Sequence, residues 1–465
     1  MLFSSISFLF IFLPTVILVY FLVPKKFKNI TLLIFSLFFY FWGEGIYVLL
    51  LIFSCIVNYL VALLIEKNKL NKKKKVYFII SLIFNISLLI YFKYTNFFIE
   101  NINSIFSFNI SLRNIIMPLG ISFFTFQILS YVIDVYKGAV KADKSFIDFT
   151  TYVTLFPQLV AGPIVRYVTI KSELKKKDIS FENFAYGIKR FIIGLSKKVI
   201  LANNLGLLIE LLNKGNESVL QFWIVSISFA LQIYFDFSGY SDMAIGMGRM
   251  FGFKFLENFN YPYIAKSVTD FWRRWHISLS SFFRDYIYFP LGGNRCSKVK
   301  WIRNIIIVWA LTGAWHGASW NFIIWGLFFA TFLLLEKTLW GKWFENKKII
   351  NHIYTLLIVL ISFVIFNSSS ISEIIINLKS MFFMRDIPLI NEESIYYFKS
   401  YFVLLVISVV GCLPLLNNLC IKIKSSKKFN KIYETLEIII LIILFIIVVS
   451  YLVDSTFNPF LYFRF

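Results

Sequence analysis

The stretch Ile46-Tyr-Val-Leu-Leu-Leu-Ile-Phe-Ser-Cys-Ile-Val-Asn-Tyr-Leu-Val-Ala-Leu-Leu-Ile65, closed by Lys67, Lys69 and Lys72 to Lys75, decides the fold class. It is apolar over the roughly 20 residues that an α-helix needs to cross a bilayer. It carries no charge and no strict alternation, so a strand of a closed barrel, the other permitted spanning form, does not fit. The lysines mark its end as cytoplasmic, because short cytoplasmic loops collect Lys and Arg.

Similar runs flank it. Ser4 to Val23 reads as a retained first span bent at Pro14 and followed by Lys25, Lys26 and Lys28. Asn29 to Trp42 is short, Val76 to Phe98 returns outward, and Asn114 to Val135 comes back. Basic residues then bracket the apolar Phe146 to Val165, which suits interfacial or re-entrant helices better than a straight span. Phe184 to Leu212 is interrupted by Lys197 and Lys198. Val219 to Phe235, Ile305 to Leu335, Ile353 to Phe366, Tyr401 to Leu416 and Leu436 to Val453 complete the set. The chain reads as all-α, polytopic and a single domain over 1–465, with no internal repeat or long linker.

A 58% hydrophobic fraction, with 56 Phe in 465 residues, excludes an ordinary soluble globule. The net charge of +22 would point to nucleic acid in a soluble protein. Here the lysines sit in loops between spans and no recognition module is present, so the positive-inside rule accounts for them and attraction to anionic headgroups follows. The four cysteines have neither metal spacing nor the density of a disulfide framework, so no metal site is read from them.

Against this apolar background the ionisable residues stand out, since a charge at the bilayer centre costs about 2.5–3.5 kcal/mol on insertion scales. His316 lies in Leu311-Thr-Gly-Ala-Trp-His-Gly-Ala-Ser-Trp320, where Gly313 and Gly317 permit close approach between helices. So apolar a setting is expected to hold the imidazole below its ordinary pKa of about 6.5, leaving it neutral and able to act as a base. The bland alternative is a packing motif that includes a histidine. His276 lies in Thr269 to Phe289, where Trp272, His276, Leu279, Phe283 and Tyr286 recur at helical spacing and Ser267 with Asp270 resembles a capping box. Its alternative is a buried histidine that orients a neighbour. Asp236-Phe-Ser-Gly-Tyr-Ser-Asp242 places two carboxylates beside a span. Pairing with arginines is the simpler role for Asp236 and Asp242, and lining a cavity or orienting a histidine is the sharper one.

Five separated segments now share one resemblance: Phe271 to Arg295, the Trp315-His-Gly run, Tyr234 to Ala244, Pro118-Leu-Gly-Ile-Ser-Phe-Phe-Thr-Phe126 and Phe156-Pro-Gln-Leu-Val-Ala-Gly-Pro163. Together they resemble the membrane-bound O-acyltransferases, in the bacterial alginate O-acetylation branch. The resemblance implies a helical transmembrane domain of about 11 spans plus re-entrant helices, with a catalytic core near 114–340 and an extracytoplasmic tail at 454–465. It implies His316 and His276 as catalytic residues, with Trp315, Arg284, Asp236 and Asp242 lining or orienting the cavity. It further implies acetyl-CoA or another acyl thioester as donor substrate, no bound cofactor, and an exported polysaccharide as acceptor. A partner acetyltransferase protein outside the cytoplasm is also expected, and no nucleic acid. The terminal Asn458-Pro-Phe-Leu-Tyr-Phe-Arg-Phe465 is similar to a superfamily motif that makes Tyr462 a candidate acyl relay; an interfacial aromatic anchor is the alternative. The expected location is the bacterial cytoplasmic membrane, with both termini outside. D-alanyl transfer to teichoic acid and a non-enzymatic polysaccharide export channel remain open as other functions.

Overall fold

The computed structural model describes residues 2–68, 70–160, 162–340, 347–425 and 430–454. Among the described residues every regular element is helical and no strand occurs. Seven helices are long and apolar enough to cross a bilayer: Tyr47–Lys67, Asn71–Phe106, Phe181–Asn213, Val219–Met250, Trp320–Trp340, Lys348–Asn367 and Lys431–Asp454. An eighth results if Glu392–Ser400 and Phe402–Gly411, bent by 57°, form one broken span. Several apolar runs in the sequence make shorter helices. Pro14 sits in the modest helix Phe8–Leu22, and the following run gives only Lys28–Glu44. The run before His316 is diluted by Lys298, Lys300 and Arg303 within its helix.

The chain divides into two compact units, Met1–Phe191 with Met243–Leu256, and Ile192–Asp242 with Glu257–Phe465. In the first, Phe8, Phe12, Phe39, Phe156 and Phe251 form a continuous aromatic cluster. The mixed segment after Lys137 makes the short helices Phe146–Thr154 and Phe156–Leu159, with a buried face and no straight span. Tyr47–Lys67 and Asn71–Leu89 are tied by a buried polar knot in which Asn85 Nδ2 (2.8 Å) and Ser81 Oγ (2.6 Å) donate to Asn58 Oδ1. Such bonds hold helices together where lipid removes the hydrophobic drive.

The second unit holds every described residue singled out for chemistry. Its centre is a hairpin of Lys298–His316 and Trp320–Leu335. A Cβ on Gly313 would lie 2.2 Å from the Phe322 carbonyl oxygen, and one on Gly326 would lie 2.2 Å from that of Trp309. Only hydrogen side chains permit such backbone contact. Gly317 serves differently, because its missing Cβ makes room for the Phe322 ring and not for another helix.

Beside the hairpin, the helical pattern from Thr269 to Phe289 does not form one helix. Val268–Arg274 ends, Trp275 is extended, His276 takes the left-handed conformation at φ +43°, and Ile277–Phe283 starts afresh. Left-handed backbone costs a residue with a Cβ about 1–2 kcal/mol. Bonds from a distant segment offset that cost: Ile277 N–H donates to Asn258 O (3.0 Å) and Asn260 N–H to Arg274 O (2.9 Å). The first helix is capped twice. Ser267 Oγ accepts from Asp270 N–H (2.9 Å), and the Glu336 carboxylate accepts from Val268 N–H, Thr269 N–H and Thr269 Oγ1. Glu336 closes the apolar helix of the hairpin, so its charge meets the positive end of another helix where the lipid-like sequence stops.

Candidate active site

His276 and His316, forty residues apart in sequence, are brought to either side of one tryptophan by the kink and the hairpin tip. Trp315 touches both, with ring centroids 6.1 Å from His276 and 5.0 Å from His316. Both imidazoles are buried, at 1% and 6% exposure, so neither faces the surrounding lipid.

The last helical turn fixes His316. Its ring meets the edges or faces of Trp325 (4.9 Å) and Phe366 (5.3 Å). Trp325 continues into a cluster with Trp272, Trp309 and Phe329. Phe366 is held because Asn321 Nδ2 donates to the carbonyls of Phe366 (3.3 Å) and Ser368 (2.8 Å). A residue at the start of one hairpin arm therefore sets the end of the neighbouring helix.

His276 stands edge-on to Phe237, centroids 4.6 Å apart, and its Nδ1 lies 3.2 Å from Asn258 Oδ1. Asn258 is fully buried. Its Oδ1 also accepts from Ser278 N–H (3.1 Å) and Ser278 Oγ (2.9 Å), while its Nδ2 donates to Ser241 Oγ (3.2 Å). The Asp236 to Asp242 segment thus reaches His276 through Phe237 and Ser241.

Both carboxylates of that segment are paired with lysines. Lys198 Nζ lies 2.6 Å from Asp236 and Lys197 Nζ 2.7 Å from Asp242. The cause is backbone proximity: a Cβ on Gly239 would lie 2.7 Å from the Gly194 carbonyl oxygen, which sets the next turn's lysines against the two aspartates. The interruption of the apolar run by Lys197 and Lys198 is therefore charge compensation inside a helix pair.

Arg284 is bonded to Asp285 (2.7 and 3.2 Å) and lines a cavity of about 160 Å³ with Ser280, Lys337, Trp309 and Thr312, the last being one turn before His316. A second cavity, of about 400 Å³, is lined by Glu217, Gln221, Glu373, Phe363 and Asn367; the last two bracket Phe366 in sequence. Tyr462 lies outside the described residues.

Sequence reasoning missed Asn258, Trp325 and Phe366. The tryptophan and phenylalanine carry no signal in a chain so rich in rings. Asn258, an uncharged polar residue two positions before Asn260 in an irregular segment, could have been found only by asking what bonds the break at His276.

The model of the membrane-bound O-acyltransferase family matches residues 138–379. A probable alginate O-acetylase of Pseudomonas aeruginosa is 40% identical over 380 residues, which is 80% of this chain and 73% of that protein. The peptidoglycan O-acetyltransferase of Helicobacter pylori is 38% identical over 427 residues, 84% of this chain and 81% of its own. A teichoic acid D-alanyltransferase of Bacillus subtilis is 32% identical over 266 residues, 54% of this chain and 67% of the other.

Proposed function

This chain belongs to the membrane-bound O-acyltransferase family, a multi-pass membrane enzyme, and we propose that it moves an acetyl group from a cytoplasmic thioester to hydroxyls of an exported cell-surface polysaccharide. The two O-acetyltransferase relatives support the acetyl group and the glycan acceptor, because their likeness runs over most of both chains. The likeness to the D-alanyltransferase covers much less of this chain. Acetyl-CoA is the donor in this reading, and the positive charge of Arg284 and Lys337 around one cavity suits its phosphates. The lysine-rich loops favour a cytoplasmic-membrane location with both termini outside, and a polysaccharide-side acetyltransferase partner completes delivery.

The observation that carries this reading is the pair of imidazoles sharing Trp315. His316 acts as general base: it takes the hydroxyl proton as the acceptor oxygen attacks the thioester carbonyl. The new C–O bond forms, the C–S bond breaks, and the thiolate leaves with the proton. A group so placed contributes about 10²–10⁴-fold, and holding thioester and hydroxyl together supplies further rate. His276 orients the reacting groups. The attacking hydroxyl belongs to the glycan or, in a relay, to Tyr462. Mass analysis of surface glycans from cells with and without the intact protein tests the reading. Loss of acetyl esters in the deleted strain, restored by the wild type and not by His316→Ala, is expected; unchanged esters would overturn it.

A further inference from the structure

We propose that Asn258 is a positioning residue that locks His276 in the tautomer protonated at Nδ1, so that Nε2 faces the site as a bare proton acceptor. The inference rests on the orienting role given above to His276 beside the base His316.

The argument begins with Ser278. Its backbone N–H can only donate, and it donates to Asn258 at 3.1 Å, so the atom it meets is the amide oxygen. The Asn258 side chain is then oriented without ambiguity, and its Nδ2 points to Ser241 Oγ. An oxygen that meets His276 Nδ1 at 3.2 Å requires that nitrogen to carry the proton. In the neutral ring Nε2 therefore carries the lone pair. Nε2 is buried and has no hydrogen-bond partner among the described residues. Leaving a buried polar atom unpaired costs about 1–3 kcal/mol, a cost the fold keeps while spending several bonds on the other side of the same ring. The bare Nε2 is thus free to accept a proton from a donor that enters the site, whether a water or a substrate hydroxyl.

The left-handed backbone at His276 belongs to the same device. Asn258 bonds residue 277 with its main-chain oxygen and residues 276 and 278 with its side chain. One residue holds both the kink and the ring. In this tautomer neutral His276 accepts a proton or hydrogen bond at Nε2 and cannot donate one to an oxyanion. Among the described contacts, the titratable group acting on His276 is His316; Phe237, Trp315, Asn258 and Ser278 surround it without charge.

The test compares the wild type with Asn258→Leu, Asn258→Asp and His276→Gln in purified full-length protein, using acetyl-CoA and an oligosaccharide acceptor. Asn258→Leu is expected to lower kcat by about 10²-fold, the lower end of what acid–base catalysis contributes, with the donor KM unchanged. Asn258→Asp keeps the acceptor oxygen, and Ser241 Oγ can turn to donate to it. This variant should restore turnover and move the acid limb of the pH–rate profile upward by about 1–3 units, as a carboxylate beside an imidazole does. Nitrogen NMR reads the tautomer directly, because the chain has three histidines and His352 Nδ1 also faces a carbonyl, that of Ala265 at 3.0 Å. Two rings protonated at Nδ1 are expected, and His276→Gln removes one. A His276 signal with bare Nδ1, or an unshifted acid limb in Asn258→Asp, overturns the proposal even if Asn258→Leu fails to fold. Wild-type turnover in His276→Gln would instead sink the part given to His276 in the reaction, while the NMR result still decides the tautomer.

Discussion

Gly313 and Phe322 meet so closely that a methyl group on the glycine would sit 2.2 Å from the phenylalanine's carbonyl oxygen. His316 is the next residue but two along the same helix. Gly313→Ala must therefore push the hairpin arms apart or fail to fold. Overpacking of this kind costs about 1–3 kcal/mol, and the displaced imidazole should lower transfer by tenfold or more. Thermal unfolding in detergent and a transfer assay on the same preparation check both. A variant as stable and active as the wild type would refute the backbone contact.

His316→Ala should remove transfer almost entirely, by about 10²–10⁴-fold, without loss of helix content by circular dichroism. His316→Gln, which keeps polarity but cannot take a proton, should be no better. Retained activity in either would assign the base elsewhere.

The Lys198–Asp236 pair is buried on both sides, at 4% and 2% side-chain exposure. Removing one partner strands the other charge, at about 3–5 kcal/mol. Lys198→Met and Asp236→Leu should each prevent stable purification, whereas the double substitution should recover most of the yield. Additive damage in the double variant would show that the two charges do not depend on each other.

Glu336→Gln leaves one oxygen where a carboxylate accepts from two backbone N–H groups and a hydroxyl at the start of the helix before His276. Losing a charged cap costs about 0.5–2 kcal/mol. The expected result is a lower unfolding temperature with a smaller loss of activity than any histidine substitution. Hydrogen exchange should rise first at Val268 and Thr269.

The helical, membrane-spanning character and the family were legible because apolar runs and five ordered motifs are properties of local sequence. The kink at His276 was not. Trp272, His276, Leu279 and Phe283 keep helical spacing straight through it, with no glycine or proline to announce a break. The instruction to break comes from Asn258, eighteen residues earlier in sequence, through bonds that exist only once both segments are in place. The lysine partners of Asp236 and Asp242 went unforeseen for the same reason: a glycine contact between two long helices delivers Lys197 and Lys198 to them. Among the described residues seven or eight helices are long and apolar enough to span, where the sequence led us to expect about 11, because several apolar runs are broken or shortened.

The mutual glycine contacts of the hairpin bear on how firmly His316 keeps its place. With backbone pressed against backbone at Gly313 and Gly326, its two arms have no side-chain cushion across which to slide, so they travel as one piece. His316 at the end of one arm and Asn321 at the start of the other are therefore fixed with respect to each other, and the two bonds from Asn321 carry that constraint on to Phe366. The hairpin is the fixed anvil against which the ring cluster around His316 is set.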